Sequence, residues 1–135
     1  MADNQKLAII IASEEYEKSH VASMIASVAA VSGVDVSVFV TMNAVYNYLK
    51  ENVEKKNFTG GKIYRQIKEK KAAMFYELFD QAKMLGVLKI YVCSMVMDIL
   101  GIEKEGMSNA TSCVGTDIRH AGGQGWLNRA IDCNL

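Results

Sequence analysis

The residues of this chain best suited to chemistry are three cysteines, Cys93, Cys113 and Cys133, spaced twenty residues apart, with His20 and His120 as its two imidazoles. A Cys/His set raises the question of zinc. Zinc sites, however, are built on close C-x-x-C or His pairs, and the chain has neither, so no metal is expected and the even spacing reads as the rhythm of repeated strands. Thiol chemistry is what remains, and Cys93 has the most telling surroundings. It lies in Leu88–Ile102, LKIYVCSMVMDILGI, where Ile90, Tyr91 and Val92 are the branched and aromatic residues of a buried strand. Ser94 suits a helix N-cap, and Met95, Val96, Ile99 and Leu100 follow at roughly helical spacing. Cys93 is then expected at the carboxyl end of a strand and beside a helix N-terminus, where free N–H groups and partial positive charge favour a thiolate. The competing reading is a buried cysteine acting as a small hydrophobe.

The elements that must position this residue can be read in order. Lys6–Ala12, KLAIIIA, is a continuous apolar run suited to a strand covered on both faces. Ser13 can cap a helix whose first turn carries Glu14, Glu15 and Glu17, and whose apolar face is Val21, Met24, Ile25, Val28 and Val31, with Gly33 as its stop. Val34–Thr41 is a second strand, expected parallel to the first. Asn43 opens a short helix through Lys50, using Val45, Tyr48 and Leu49. Glu51–Lys62 reads as an exposed loop. Ile63–Leu85 reads as one long amphipathic helix with Ile67, Met74, Phe75, Leu78 and Phe79 on its apolar stripe and Gly86 as its stop; its Lys68–Lys71 run is a solvated face. After Cys93 and its helix, Thr111–Gly115 is a brief strand. Gly122, Gly123 and Gly125 make Ala121–Asn128 irregular, and Ala130–Leu135 is a last strand. The order implies one α/β domain over residues 1–135, a three-layer sandwich on a mostly parallel sheet of about five strands.

Composition sets limits on function. The chain has 135 residues, half of them hydrophobic, with Lys+Arg and Asp+Glu equal at 15 each. That balance argues against a nucleic-acid footprint. No apolar run approaches the ~20 residues of a membrane span, and the opening MADNQK shows no secretory signal. An odd number of cysteines fits a reducing cytoplasm. The first β-α turn lacks G-x-G-x-x-G, so this is not the usual dinucleotide fingerprint; no cofactor is expected.

The KLAIIIAS strand and its helix, GVDVSVFVT, the long Lys-rich helix and above all KIYVCSMVMDILGIEKE resemble the DsrE-like (DsrE/DsrF) proteins, in particular the branch labelled peroxiredoxin-like. The resemblance runs from Lys6 to about Gly115; GTDIRHAGGQGWLNRA departs from the Ala-rich helix usual there. It implies a flavodoxin-like fold, homo- or hetero-oligomers, and sulfur transfer through a cysteine at the position of Cys93, with a small TusA-type carrier as the kind of partner. Sulfur transfer requires a soft nucleophile able to hold an extra sulfur. Cys93 is the expected catalytic residue; Ser94, Met95 and Met97 beside it, and Ser13, Glu14 and Lys18 along the same sheet edge, are the expected substrate-binding residues, with Tyr16 and His20 close by. Met95 and Met97 also suit an ordinary core, and His20 a packing role. Asp98 is expected to be structural, because a carboxylate beside Cys93 opposes thiolate formation. The functions implied are a sulfur transferase or carrier, taking sulfane sulfur or thiosulfate onto Cys93, and alternatively a non-catalytic oligomeric scaffold in which Cys93 packs. Thiol peroxide reduction has only the branch's label behind it. A homo-oligomer is also expected because Tyr46, Tyr48, Phe75, Tyr76 and Phe79 are too many helix-borne aromatics to face one core.

Overall fold

The computed structural model describes residues 5–102, Gly106 and the pair Cys113–Val114. Strand β1 (Lys6–Ile11) leads through helix α1 (Tyr16–Val31) to β2 (Asp35–Val40). A 3₁₀ helix (Met42–Tyr48), α2 (Lys50–Lys55), α3 (Lys62–Glu69) and α4 (Phe75–Leu85) connect to β3 (Leu88–Val92); α5 (Ser94–Leu100) then precedes β4 (Cys113–Val114). The strands are all parallel and stand in chain order, β1-β2-β3-β4. Helices α1 and α4 pack on each other and on the strands. The rows Val36–Leu88, Ile9–Val38–Ile90 and Ile11–Val40–Val92 enter the core from one side of the sheet. The described residues thus give an α/β fold on a parallel sheet whose fourth strand has two residues. The expected closing strand Ala130–Leu135 and the segment Ala121–Asn128 lie outside them.

Two expectations fail, for one reason. The Glu51–Lys62 stretch expected as loop begins with α2, and the single helix expected over Ile63–Leu85 is two helices, α3 and α4, broken between Glu69 and Phe75. Four of the described helices end in the same way. The N–H of the residue in left-handed conformation bonds three residues back, and the next N–H bonds five back: Gly33 and Val34 after α1, Lys56 and Asn57 after α2, Lys71 and Ala72 after α3, Gly101 and Ile102 after α5. Glycine marks two of these stops in the sequence. Lys56 and Lys71, each at φ 53°, hold the other two and give no such sign.

The α1 helix is turned about its axis from the expected orientation. Tyr16, Ser19, Ala22, Ser23, Ala26 and Ala30 are buried, while Val21, Met24, Ile25, Val28 and Val31 are exposed. The partner helix explains this. Against α1, α4 brings Phe75 and Phe79, both fully buried, so the volume between the helices is filled from one side and only small residues fit on the other. Ser27 Oγ reaches the Leu78 carbonyl at 3.2 Å, and a Cβ on Gly86 would run into the Ala30 backbone. Gly86 is the stop of α4 as expected, but its backbone is extended and its necessity is this close approach.

Four of the five aromatics expected to be in surplus share one core. Tyr48, Phe75 and Phe79 are fully buried and Tyr76 half-buried, with Tyr46 alone exposed. Tyr16 is their hub, with ring centres 4.4 Å from Tyr64 and 5.5 Å from Phe58 and from Phe75.

Candidate functional site

Cys93 follows the last residue of β3 and is itself the N-cap of α5, so Ser94 is the first helical residue rather than the cap. Its backbone completes both elements. The Cys93 N–H donates to the Val40 carbonyl at 2.9 Å, extending the β2–β3 ladder by one rung, and its carbonyl accepts the Met97 N–H at 3.1 Å to open the helix. No side chain caps α5, so the helix start beside the thiol is left to backbone groups. The Cys93 side chain is only 4% exposed and packs in the core that holds Val92, Val96 and Met97. Met97 is buried with it, whereas Met95 is half-exposed at 49% and Asp98 is exposed.

The other expected site residues gather one element away. Ser13 and Lys18 line a groove of about 460 Å³ with Ile9, Ile10, Ile11, Val21 and Ile25, at the edge strand β1 and the start of α1. Ser13 Oγ accepts the Glu15 N–H at 3.2 Å, and Glu15, not Ser13, is the N-cap of α1. The Glu14 carbonyl accepts a bond from Asn47 Nδ2 at 2.9 Å, which ties the 3₁₀ helix to this corner. Lys18 is exposed, with Glu15 Oε2 at 3.9 Å. Both groups stand on the carboxyl edge of the sheet. Strand β2 separates them, however, a distance of roughly 10 Å at the usual strand spacing, and Cys93 does not line the groove.

Tyr16 and His20 belong to the packed cluster. The Tyr16 hydroxyl accepts the Phe75 N–H at 3.1 Å and has His20 Nδ1 at 3.1 Å and Met74 Sδ at 3.5 Å for its single proton. Burial pushes the Tyr16 phenol up to about 12 against the opposing pull of the Phe75 N–H, and burial alone pushes His20 down. Burial likewise raises Tyr48, whose hydroxyl donates to Ser19 Oγ at 3.5 Å. These groups hold α1, α3 and α4 together. Glu17 does the same work from the next position: its carboxylate accepts the Gly61 N–H at 2.8 Å and the Tyr64 N–H at 3.2 Å at the start of α3. Burial raises its pKa, but the backbone hydrogen bonds together outweigh this and hold the carboxyl below its ordinary value.

One residue at the Cys93 corner had no signal in the sequence. Met42 follows β2 by two residues, adopts φ 51°, rare for a side chain of its size, and is exposed. Since Cys93 bonds to Val40, Met42 and Met95 are the exposed thioethers that follow the two adjacent strand ends. No three His, Cys, Asp or Glu side chains gather as a metal set among the described residues, and no described helix is long and apolar enough to cross a membrane.

No curated protein matches the chain. The family profile described as "DsrE/DsrF-like family" does, over residues 5–131, which carries the likeness past Gly115 into the stretch that had looked divergent. With that match spanning the whole αβ framework and the Cys93 junction, the chain belongs to the DsrE/DsrF-like family.

Proposed function

We propose that the protein is a sulfur transferase or sulfur carrier that loads sulfur on Cys93 and hands it to an acceptor protein. The observation that carries this reading is the place of Cys93, the junction residue between β3 and an uncapped helix start at the carboxyl edge of a parallel sheet, in a chain of the DsrE/DsrF-like family. The Cys93 thiolate attacks the outer sulfur of thiosulfate; the new S–S bond forms as the old one breaks, and sulfite leaves with the electron pair. A thiolate of the acceptor then attacks the outer sulfur of the Cys93 persulfide, and Cys93 leaves as thiolate. Neither step needs an external oxidant. The acceptor is a small carrier of the TusA type, and the compartment is the reducing cytoplasm, where a free thiol persists. Met97 and Met95 form a soft, polarisable wall beside the bound sulfur. Ser94 adds its place in the first turn of α5, and Ser13, Glu14 and Lys18 form an outer binding region reached along the sheet edge.

A second reading has its own observation. Cys93 is 4% exposed and lies within the hydrophobic core, as it would in a non-catalytic module where the residue only packs. Intact-protein mass after exposure to thiosulfate, tetrathionate or a persulfide donor separates the two. Transfer requires a gain of one sulfur, or of a thiosulfonate group from tetrathionate, that disappears in Cys93→Ser and survives in Cys113→Ser and Cys133→Ser. A wild-type mass unchanged under all three reagents assigns the chain to the scaffold class.

A further inference from the structure

The chain is electrically balanced as a whole, but its charge is unevenly spread. Between Lys50 and Lys71 stand eight of the 15 basic residues and only three of the 15 acidic ones, so this segment carries a net charge of +5 and the rest of the chain −5. The segment comprises α2, α3 and the turns that join and follow them, and all eight cations are exposed. Among the described residues only Lys55 of the eight has an ion-pair partner, Glu51 at 2.9 Å, while Lys68 stands over the Tyr64 ring, which leaves its charge unneutralised. Cations gathered in this way raise a positive potential over one part of the surface. The fold gives that part a definite place. Glu17, in the first turn of α1, fastens the start of α3, and α2 packs on the 3₁₀ helix that follows β2 and touches α5. Glu17 and the 3₁₀ helix both follow strands at the carboxyl edge of the sheet, the edge on which Cys93 stands.

We infer that this basic lobe is the docking surface for the acidic face of a partner protein. On the reading proposed above, and resting on it, that partner is the acceptor of the Cys93 sulfur. The make-up of the lobe chooses among polyanions. An array of phosphates, on lipid headgroups or a nucleic-acid backbone, is of one sign; Glu51, Glu54 and Glu69, exposed among the cations, oppose it and suit a protein surface of mixed sign. Single-stranded nucleic acid is held on exposed rings where bases stack, whereas Tyr64 is 5% exposed and Phe58 half-buried against it. A helix that lies on a membrane needs a broad apolar face, and among the described residues Ile63 is the one large hydrophobic exposed in the lobe. A single apolar anchor within a charged rim is the anatomy of a protein–protein contact. Complementary charge acts chiefly on the rate of encounter, and here it brings the partner to the edge where the thiol lies.

The probe is a peptide of alternating Glu and Ser, with a Gln and Ser peptide of the same length as its neutral counterpart, and binding to the full chain is read by fluorescence anisotropy. The Glu peptide should bind and the Gln peptide should not, and binding should vanish at about 1 M salt, where the screening length is about 3 Å. Lys62→Glu combined with Lys68→Glu should weaken binding about tenfold or more, with an unchanged circular dichroism spectrum. Lys62→Gln with Lys68→Gln, which only neutralises, should give a smaller loss of the same sign. Lys6→Glu with Lys83→Glu, outside the lobe, should leave binding unchanged. Equal binding of the two peptides, a lobe variant that binds as the wild type does, or an equal loss in the Lys6 and Lys83 variant overturns the inference. So does tighter binding, at equal charge, of a DNA duplex or of phosphatidylserine vesicles, which gives the lobe to phosphates. A Glu peptide bearing one cysteine reads the partner's role: it should take sulfur from loaded Cys93 faster than its Gln counterpart, and equal rates overturn the identification of the acceptor. Docking is measured without sulfur on Cys93, so its failure and the failure of sulfur loading are told apart.

Discussion

Two corners of the molecule sit on the same sheet edge and are built differently. At the Tyr16 corner, where β1 passes to α1, side chains do the fastening: one phenol takes the first N–H of α4, Glu17 takes two N–H groups at the start of α3, and Phe58, Tyr64 and Phe75 pack around the ring. At the Cys93 corner, where β3 passes to α5, the fastening is backbone alone, a bond to Val40 on one side and one from Met97 on the other. A corner held by side chains has none to spare for chemistry. A corner held by backbone asks no hydrogen bond of its side chain, and the Cys93 thiol packs there with no side-chain hydrogen bond among the described residues.

The difference predicts a graded set of responses. Phe75→Ala should be the most damaging, costing about 3–5 kcal/mol in urea unfolding, because the ring touches five others at the Tyr16 corner. Tyr16→Phe keeps the ring but strips the acceptor from the buried Phe75 N–H, at about 1–3 kcal/mol; a loss near zero would mean that the hydroxyl network is incidental. Cys93→Ala, which removes one buried atom with no side-chain hydrogen bond among the described residues, should cost only about 1 kcal/mol by the same measure. If it cost as much as Phe75→Ala, the contrast between the corners would collapse.

Two smaller effects sharpen it. Lys71→Gly should stabilise the chain by about 0.5–1 kcal/mol, seen as a higher urea midpoint, because Lys71 bears a left-handed backbone that glycine adopts without a Cβ clash. The acid branch of stability should fall in two stages, both carried by the Tyr16 corner. His20 is held below its ordinary value of 6.5, so its contribution is complete above that pH and is lost as pH falls through the lower folded value. Glu17, held below 4.5, contributes above that value and loses its contribution as pH falls further. His20→Gln should remove the first stage and Glu17→Gln the second, as read from unfolding midpoints across pH.

Much of this structure is legible along the chain. The strand runs KLAIII, DVSVFV and LKIYV declare themselves by branched and aromatic content, Gly33 and Gly101 mark two helix stops, and the position of Cys93 follows from the strand that ends before it. The breaks at Lys56 and Lys71 did not show, because a lysine forced into the left-handed region by its neighbours' hydrogen bonds looks like any other lysine in a helical run. The separation of Ser13 and Lys18 from Cys93 did not show either, since strand order is not written in any one strand.

The sequence by itself determined the strands β1, β2 and β3, the helix α1 between the first two, that the sheet is parallel, and that Cys93 follows β3, since these depend on neighbours close in the chain. Only the tertiary structure decided which face of α1 points inward. Val21, Met24, Ile25, Val28 and Val31 form the more hydrophobic stripe, and transfer from water favours burying it. But α4 already fills the shared space with Phe75 and Phe79, and beyond Tyr16 close packing admits only Ser19, Ala22, Ser23, Ala26 and Ala30 against it. Volume complementarity between two helices about fifty residues apart outweighed the hydrophobicity of either face, and no reading of α1 alone contains the shape of its partner.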